Sequence, residues 1–325
     1  MKKKTPTTVS LVLGSGGACG LAHIGVIEWL VENGYDIRSI AGASMGALVG
    51  GIHAARKLEV YSDWVSALER KHLLRLLDPT FGRNGLFKGE RIMGVLRELI
   101  GTCMIEELPL AYTAVATDME SGDEVWLRHG DLFDAIRASI ATPMVFTPFR
   151  VAERTLLDGA LVNPLPVTPT LGDDTDLIIS VNLSGPAEHR PGPPPAAPPS
   201  SPPTRSGANR QRLRALVANL PLSRGRGSVA VTAAAAAAAA GAQGLRGRGL
   251  LDVAFVSMQA MQDTITRLKL ASGAPDVTIE IPRNACGFHE FWRARELIAL
   301  GRVCAAQALA GPERDTPKRD GRHSG

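Results

Sequence analysis

A serine between two glycines is the first group in this sequence that could act as a nucleophile. The stretch Gly42-Ala-Ser-Met-Gly46 follows an apolar run and precedes a segment with helical periodicity. In that context a Gly-x-Ser-x-Gly motif forms a sharp turn that presents the serine hydroxyl at the end of a sheet. The alternative is a plain helix start in which Ser44 is only the N-cap. Ser44 is therefore a candidate nucleophile, with the N-cap interpretation still open.

A glycine-rich loop ends the first apolar run, in the stretch from Gly14 to Gly20. Glycines let the backbone turn sharply there and direct free amides into a cavity. A dinucleotide-binding loop would need an acidic residue about 20 positions later, and a nucleotide-binding P-loop would need Gly-Lys-Ser/Thr. The sequence has neither. The remaining interpretation is an oxyanion hole, which binds the negative oxygen of a tetrahedral intermediate.

A serine hydroxyl needs a base, and two candidates follow in the sequence. His289 comes after the last apolar run, where an α/β-hydrolase histidine would be expected. Asp158, in the stretch Leu156-Leu-Asp-Gly-Ala160, could accept the serine proton directly in a site that excludes water. An aspartate before glycine is also a common turn former. The residues alone leave both bases open.

The elements that must position these groups alternate between short strands and longer helices. Continuous apolar strands such as 177–181 are typical of a parallel sheet that is buried on both faces. We therefore predict an α/β fold with three α/β/α layers, a mainly parallel central sheet and a low-complexity insertion. The predicted strands are 8–13, 37–41, 111–117, 124–127, 177–182 and 277–281, and the predicted helices are 21–32, 45–56, 60–77, 89–100, 131–139, 250–270 and 290–310.

The 325-residue chain has a net charge of +4, but its basic residues are concentrated in one segment. Residues 186–249 contain ten of the 22 prolines and an eight-alanine tract, and nine arginines there accompany a single acid, Glu188. Such a composition lacks the large apolar side chains that offset the entropy of ordering. We therefore predict one domain over residues 8–310, with a disordered insertion at 186–249 and a disordered tail at 311–325.

The rest of the chain is acidic, which argues against a nucleic-acid-binding protein. The arginines of the insertion are compatible with docking on an anionic membrane, or with a simple expanded surface loop. No stretch reaches the roughly 18 apolar residues that span a bilayer. We expect a cytoplasmic protein, with peripheral contact at the inner face of the membrane as an option. The sequence does not indicate an oligomeric state.

The four cysteines are widely spaced and form no Cys-x-x-Cys pair. This spacing predicts neither a disulfide framework nor a zinc site, and it favours a reducing compartment. We expect no metal and no cofactor. The cysteines are Cys19, Cys103, Cys286 and Cys304.

Together these motifs resemble the patatin-like phospholipases, specifically the bacterial subgroup related to neuropathy target esterase and to RssA-type proteins. That family has a glycine-rich oxyanion loop, a Gly-x-Ser-x-Gly elbow and an Asp-Gly-Gly/Ala motif, in this order. Similar segments also occur at 20–26, 114–118, 135–139 and 161–164. The residues that match the three motifs are Gly14 and Gly20, Gly42 and Gly46, and Asp158, Gly159 and Ala160.

The resemblance implies a patatin-like fold and a Ser-Asp dyad without histidine. Ser44 would form an acyl-enzyme, and Asp158 would act first as base and then as acid. Backbone amides of Gly16, Gly17 and Ala18 would form the oxyanion hole. The implied activity is that of a serine esterase or phospholipase on an acyl lipid or other ester, with no dinucleotide.

The loop departs from the family's usual pattern at two positions. Cys19 stands where a basic residue is common, and Ser15 replaces a frequent glycine. Both changes leave the backbone amides in place, so we expect an altered substrate preference with the chemistry retained. A catalytically weak or inactive regulatory protein of the same fold is the alternative. Ser139 and Pro143 are expected to shape the loop beside the site.

Overall fold

The computed structural model describes residues 6–80, 85–188, 250–272 and 275–309, without the side chains of 250–252. The predicted insertion lies outside the described residues from 189 to 249, and the predicted tail at 311–325 does so entirely. No helix in the described ranges is long and apolar enough to cross a membrane. The strands are β1 (Thr8–Leu13), β2 (Asp36–Ala43), β3 (Ala111–Asp118), β4 (Glu124–Leu127), β5 (Phe149–Val151), β6 (Arg154–Asp158), β7 (Leu177–Gly185) and β8 (Val277–Pro282). The helices are α1 (Ala22–Glu32), α2 (Met45–Ala54), α3 (Leu58–Ser66), α4 (Arg70–Leu76), α5 (Glu90–Ile100), α6 (Leu132–Ser139), α7 (Leu250–Ala271) and α8 (Ala294–Leu309).

These strands form one sheet in the order β5-β6-β3-β2-β1-β7-β8, and β4 pairs with β3 beside this path. The five strands β1, β2, β3, β7 and β8 are mutually parallel. At one end of the sheet, β4 and β6 run antiparallel to β3, and β5 runs antiparallel to β6. The predicted α/β fold with a mainly parallel central sheet is confirmed.

Helices cover both faces of the sheet. Successive side chains of a strand point to opposite faces, so a single strand shows the packing on each side. On β1, Leu11 and Leu13 pack into the main core together with residues of α1, α2 and α8. Val12 points to the other face, where it packs with Ile178 and with Leu270 of α7. The sheet is therefore the middle of three layers, and the larger core lies on the α1 side.

Two predicted helices have the wrong boundaries. The predicted helix 60–77 is interrupted, because α3 ends at Ser66 and α4 begins at Arg70. Glu69 caps α4 reciprocally: its side chain accepts from the third helical amide, and its own amide donates to Nδ1 of His72 at 3.2 Å. Such a capping box marks a new helix start. The last helix begins at Ala294, after a 3₁₀ turn over Phe291–Arg293, and not at Glu290 as predicted.

The hairpin formed by β5 and β6 has no counterpart in the prediction. Its strands are short, and they are joined at Ala152, which has a positive φ of 51°. Strands of three to five residues carry too little periodicity to be recognised from sequence. The hairpin matters for function because β6 ends at Asp158, which pairs with Ala116 of β3.

Leu297 tests the position of the main core, since it is fully buried in α8. Replacement by alanine removes packing and leaves a cavity, so we expect Leu297→Ala to lower the free energy of unfolding by about 2–5 kcal/mol. Leu268→Ala is the matched control, because Leu268 is 68% exposed on α7; its effect should stay below about 0.5 kcal/mol. Urea denaturation measures the free energy of unfolding of both variants. Equal decreases in the two would contradict the burial of Leu297 in the main core.

Candidate active site

Ser44 lies in a strained turn between β2 and α2. Its backbone has φ 54° and ψ −123°, a conformation that non-glycine residues rarely adopt. The turn requires small neighbours, because a Cβ on Gly42 would collide with the backbone of Gly46, and a Cβ on Gly46 would collide with the Leu13 carbonyl. The Gly-x-Ser-x-Gly stretch thus forms the sharp strand-to-helix turn that its pattern predicts.

The Ser44 hydroxyl donates a hydrogen bond to Asp158 Oδ2 at 2.8 Å. Both residues are buried, with 6% of Ser44 and 3% of Asp158 exposed. Ser44 occupies the N-cap position of α2, but its side chain makes no capping hydrogen bond. The hydroxyl is therefore directed at the carboxylate, which disfavours the interpretation of Ser44 as a simple helix cap.

The backbone of the turn is held by Ser139, the last residue of α6. The Ser44 amide donates to Ser139 Oγ at 3.0 Å, and the Ser139 hydroxyl donates to the Val115 carbonyl at 2.6 Å. Ser139 is fully buried. The expectation that Ser139 shapes the site thus acquires a definite geometry, a link from the strained turn to the middle of β3.

The Asp158 carboxylate accepts three hydrogen bonds from neutral donors. Its Oδ2 accepts from Ser44 and from the Thr142 hydroxyl, the latter at 2.6 Å, and its Oδ1 accepts from the Ala160 amide at 2.9 Å. Burial raises the pKa of Asp158, whereas the bonds from Thr142, Ala160 and Ser44 lower it. Thr142 did not stand out in the sequence, because a single threonine in a loop belongs to no motif.

The other candidate base, His289, makes no hydrogen bond to Ser44 or Asp158 within the described part of the chain. It lies in the loop after β8, with its ring 5.7 Å from that of Trp292. The two bases that the sequence left open are therefore distinguished by geometry, since Asp158 contacts the Ser44 hydroxyl and His289 does not.

The glycine loop presents two free amides. The Gly14 amide donates to the Val181 carbonyl at 3.1 Å, and the Ala18 amide donates to the Phe288 carbonyl at 2.9 Å. Among the described residues, the amides of Gly16 and Gly17 have no hydrogen-bond partner. Because the Ala18 amide is already engaged, we retain only Gly16 and Gly17 of the three predicted oxyanion donors.

His23 contacts the first residue of the glycine loop. The sequence alone assigned His23 no role. It is fully buried in α1, and its Nε2 lies 2.8 Å from the Gly14 carbonyl. Burial lowers the pKa of His23 to about 4, so the ring is neutral at pH 7. Because a carbonyl only accepts, Nε2 carries the proton and donates it. The signal available in the sequence was a histidine within the otherwise apolar stretch 21–27.

Cys19 and Cys286 are paired as a disulfide, with Cα atoms 5.9 Å apart. The prediction that the cysteines form no disulfide is therefore wrong for this pair, while Cys103 and Cys304 are free. The pair is separated by 267 positions, so only the fold reveals it. The argument from cysteine spacing to a reducing compartment loses its basis. The link joins the glycine loop to the loop that carries Phe288.

Metal ions in proteins are bound by clusters of suitable side chains. Over the ranges that the structure describes, no group of three or more His, Cys, Asp or Glu side chains could hold a metal ion.

Comparison with known proteins places this chain in a family. The family model for patatin-like phospholipases matches residues 11–171. The uncharacterized NTE family protein Rv1063c of Mycobacterium tuberculosis (strain ATCC 25618 / H37Rv) is 40% identical over 339 residues, covering 94% of this chain and 92% of that protein. This chain belongs to the patatin-like phospholipase family. Neuropathy target esterase sws of Drosophila persimilis is 31% identical over 169 residues, covering 50% of this chain and 12% of that protein.

Membership of the patatin-like phospholipase family makes the chain a lipid acyl hydrolase in general terms. The relatives also agree with the NTE-related subgroup that the motifs indicate. The segment matched by the family model contains Ser44 and Asp158 and ends well before His289.

The buried histidines should make the stability of the fold depend on pH. Burial lowers the pKa of both His23 and His53 to about 4 from 6.5. Between these values the unfolded chain binds protons that the folded chain excludes, so stability is lost as the pH falls from 6.5 to 4. We expect a loss of up to about 3 kcal/mol per histidine in urea denaturation. His23→Gln should reduce this loss, whereas His129→Gln, at an exposed position, should not. If the free energy of unfolding of His23→Gln depended on pH in the same way as that of wild type, the assignment of a neutral His23 would be contradicted.

The cysteine pair can be tested on the unreduced protein. Peptide mapping by mass spectrometry should recover Cys19 cross-linked to Cys286, with Cys103 and Cys304 alkylated. Cys286→Ser should lower the free energy of unfolding by about 2–4 kcal/mol, because the unfolded chain regains the entropy of an open loop. Cys103→Ser, which removes a free thiol, is the matched control. Alkylation of Cys19 in the denatured, unreduced chain would overturn the pairing.

Proposed function

We propose that the chain is a serine lipid acyl hydrolase in which Ser44 is the nucleophile and Asp158 is the proton acceptor. The observation that carries this proposal is the 2.8 Å hydrogen bond from the buried Ser44 hydroxyl to the buried Asp158 carboxylate. A hydroxyl in direct contact with a carboxylate has an acceptor for its proton and needs no histidine between them. The proposed substrates are carboxylic esters of phospholipids, lysophospholipids or related acyl lipids.

In the first half of the proposed reaction, Ser44 Oγ attacks the ester carbonyl carbon while its proton passes to Asp158. The negative oxygen of the tetrahedral intermediate binds to the amides of Gly16 and Gly17, which have no other partner in the described structure. When the intermediate collapses, the ester C–O bond breaks and Asp158 gives the proton to the leaving alcohol. The acyl group remains on Ser44.

In the second half, water attacks the acyl carbonyl and gives a proton to Asp158. The same amides bind the second oxyanion. Collapse breaks the bond to Ser44 Oγ, releases the carboxylic acid and returns the proton from Asp158 to the serine. The carboxylate thus gains and loses one proton in each half, and the protein ends unchanged.

The environment of Asp158 suits a carboxylate that acts as a base. Burial raises its pKa, and a base works best when its pKa approaches the operating pH. The opposing hydrogen bonds come from neutral groups, so they stabilise the ionised form without adding an opposite charge.

Apolar side chains around the glycine loop support an acyl substrate. Gly16 packs against Leu183 and Gly17 against Phe288, whose ring meets that of Phe255 edge-on at 4.8 Å. Small-molecule sites are lined mainly by apolar and aromatic side chains, so these neighbours are compatible with an acyl chain. Contact with a membrane stays a sequence-based expectation, because the arginine-rich segment lies outside the described residues.

Substitution of the two residues tests the dyad. We expect Ser44→Ala and Asp158→Asn each to reduce hydrolysis of short p-nitrophenyl esters by more than about 10³-fold, because each removes a group that acts only in the transition state. Asp118→Asn is the matched carboxylate control and should remain active, since the partners of the Asp118 carboxylate in the described structure are the turn amides of Glu120 and Ser121 and the guanidinium of Arg154 at 3.8 Å. His289→Ala should also remain active. An inactive His289→Ala beside an active Asp158→Asn would overturn the dyad.

Active-site labelling distinguishes this enzyme from a non-catalytic regulator of the same fold. An active serine should react with a fluorophosphonate probe, and peptide mapping should locate the label on Ser44. A folded wild-type protein that neither reacts with the probe nor hydrolyses any member of an acyl-lipid panel would overturn the proposed function and favour the regulator.

A further inference from the structure

The loop after α6 brings a second hydroxyl to the carboxylate of the proposed dyad. Thr142 is 5% exposed, and its Oγ1 lies 2.6 Å from Asp158 Oδ2, the oxygen that also accepts from Ser44. The loop is tied to β6 because the Asp158 amide donates to the Ala141 carbonyl at 3.1 Å. The Thr142 carbonyl in turn accepts from the amides of Val145 and Phe146. Backbone hydrogen bonds on both sides therefore hold the segment that carries this hydroxyl.

Thr142 has a second acceptor within reach, which allows it to serve both charge states of Asp158. Its Oγ1 lies 3.4 Å from the Ile140 carbonyl, a longer contact than that to the carboxylate. A threonine hydroxyl donates one hydrogen bond and can accept others. When Asp158 is ionised, Thr142 donates to it. When Oδ2 has received a proton, the new carboxylic acid can donate to Oγ1 while the threonine proton turns to the Ile140 carbonyl.

We propose that Thr142 is a positioning residue of the dyad: its hydroxyl holds the proton-accepting oxygen of Asp158 in both steps of the transfer. This inference rests on the proposed function. No net proton is gained or lost at Thr142, because it exchanges one acceptor for another while the transferred proton stays on Asp158. Without the hydroxyl, Oδ2 faces Ser44 alone, and the ionised carboxylate loses one of its three stabilising donors.

Charged side chains around Asp158 are directed elsewhere, so the titration of this carboxyl is not shared with a neighbouring ion. On α6, Arg137 donates to the carbonyls of Lys88 and Thr147. On β3, Asp118 accepts from turn amides. Other charged or titratable groups on the packed elements also have partners elsewhere. They are Asp134 on α6, paired with Arg97; Tyr112 on β3, which donates to the Ala47 carbonyl; Glu124 on β4, bound to Asn163 and Trp126; Arg150 on β5, paired with Glu153; Arg154 on β6, near Asp118; and Asp263 and Arg267 on α7, bound to Ser184 and Thr264. His53 on α2 is neutral at pH 7.

The pH dependence of kcat/KM for a short ester tests this role. Loss of the Thr142 hydrogen bond should raise the pKa of Asp158, so Thr142→Val should move the acidic limb of the profile to higher pH by about one unit. Below both midpoints this displacement is about a tenfold loss of kcat/KM relative to wild type. Thr142→Ser keeps the hydroxyl and should restore the wild-type limb. Coincident profiles for Thr142→Val and wild type would overturn the proposal.

A buried threonine elsewhere provides the matched control. Thr170 is 1% exposed and donates to the Val167 carbonyl, so Thr170→Val should leave the acidic limb in place. Thermal unfolding establishes that each variant is folded, and Thr142→Ala, which adds no bulk, repeats the test if the valine variant does not fold. An equal displacement in Thr170→Val would also contradict the role of Thr142.

Failure of this inference is distinguishable from failure of the proposed function. If wild type hydrolyses esters and reacts with the probe at Ser44, and if Ser44→Ala and Asp158→Asn are both inactive, the dyad stands whatever the Thr142 profiles show. If wild type lacks these activities, the proposed function fails first, and the inference about Thr142 fails with it.

Discussion

The hydrogen bond between Ser44 and Asp158 is the constraint on which the arrangement of the site depends. Ser44 directly follows β2 and Asp158 ends β6, and these two strands lie on opposite sides of β3. Ala43, the last residue of β2, is level with Val115 of β3, and Asp158 is level with Ala116. Ser44, the residue after β2, therefore comes level with Asp158. Strands that flank a common neighbour are about 10 Å apart. The turn at Ser44 and the reach of the aspartate side chain close that gap to 2.8 Å.

Closing this gap requires a strained backbone conformation at Ser44. Close packing around the turn offsets the free energy of that strain. A non-glycine residue with a positive φ costs on the order of 1–3 kcal/mol, and it persists only where its surroundings leave no alternative. Here the Ser44 amide is held by Ser139, while Gly46 and Gly159 allow α2 and the turn after β6 to lie directly on backbone carbonyls. The same packing that forces the strain also directs the hydroxyl at the carboxylate.

Features set by local patterns could be predicted from the sequence, and features set by distant contacts could not. The parallel sheet follows from continuous apolar strands, and the turn at Ser44 follows from small residues at fixed spacing. The β5 and β6 hairpin is too short to carry a pattern, and the helix break at Glu69 depends on a reciprocal contact with His72. The disulfide and the contact from Thr142 join segments whose proximity only the folded sheet creates.

The surroundings of Asp158 bear on its proposed role as a base that acts without a histidine. In water a carboxylate is too weakly basic to take a serine proton readily, but burial raises its pKa and so narrows that difference. Burial alone would favour the protonated acid, which cannot accept. Three neutral donors limit that effect without the large stabilisation that an arginine or lysine would bring. Burial and the neutral hydrogen bonds therefore act on the pKa of Asp158 in opposite directions, and Thr142 contributes one of those hydrogen bonds at the oxygen facing Ser44.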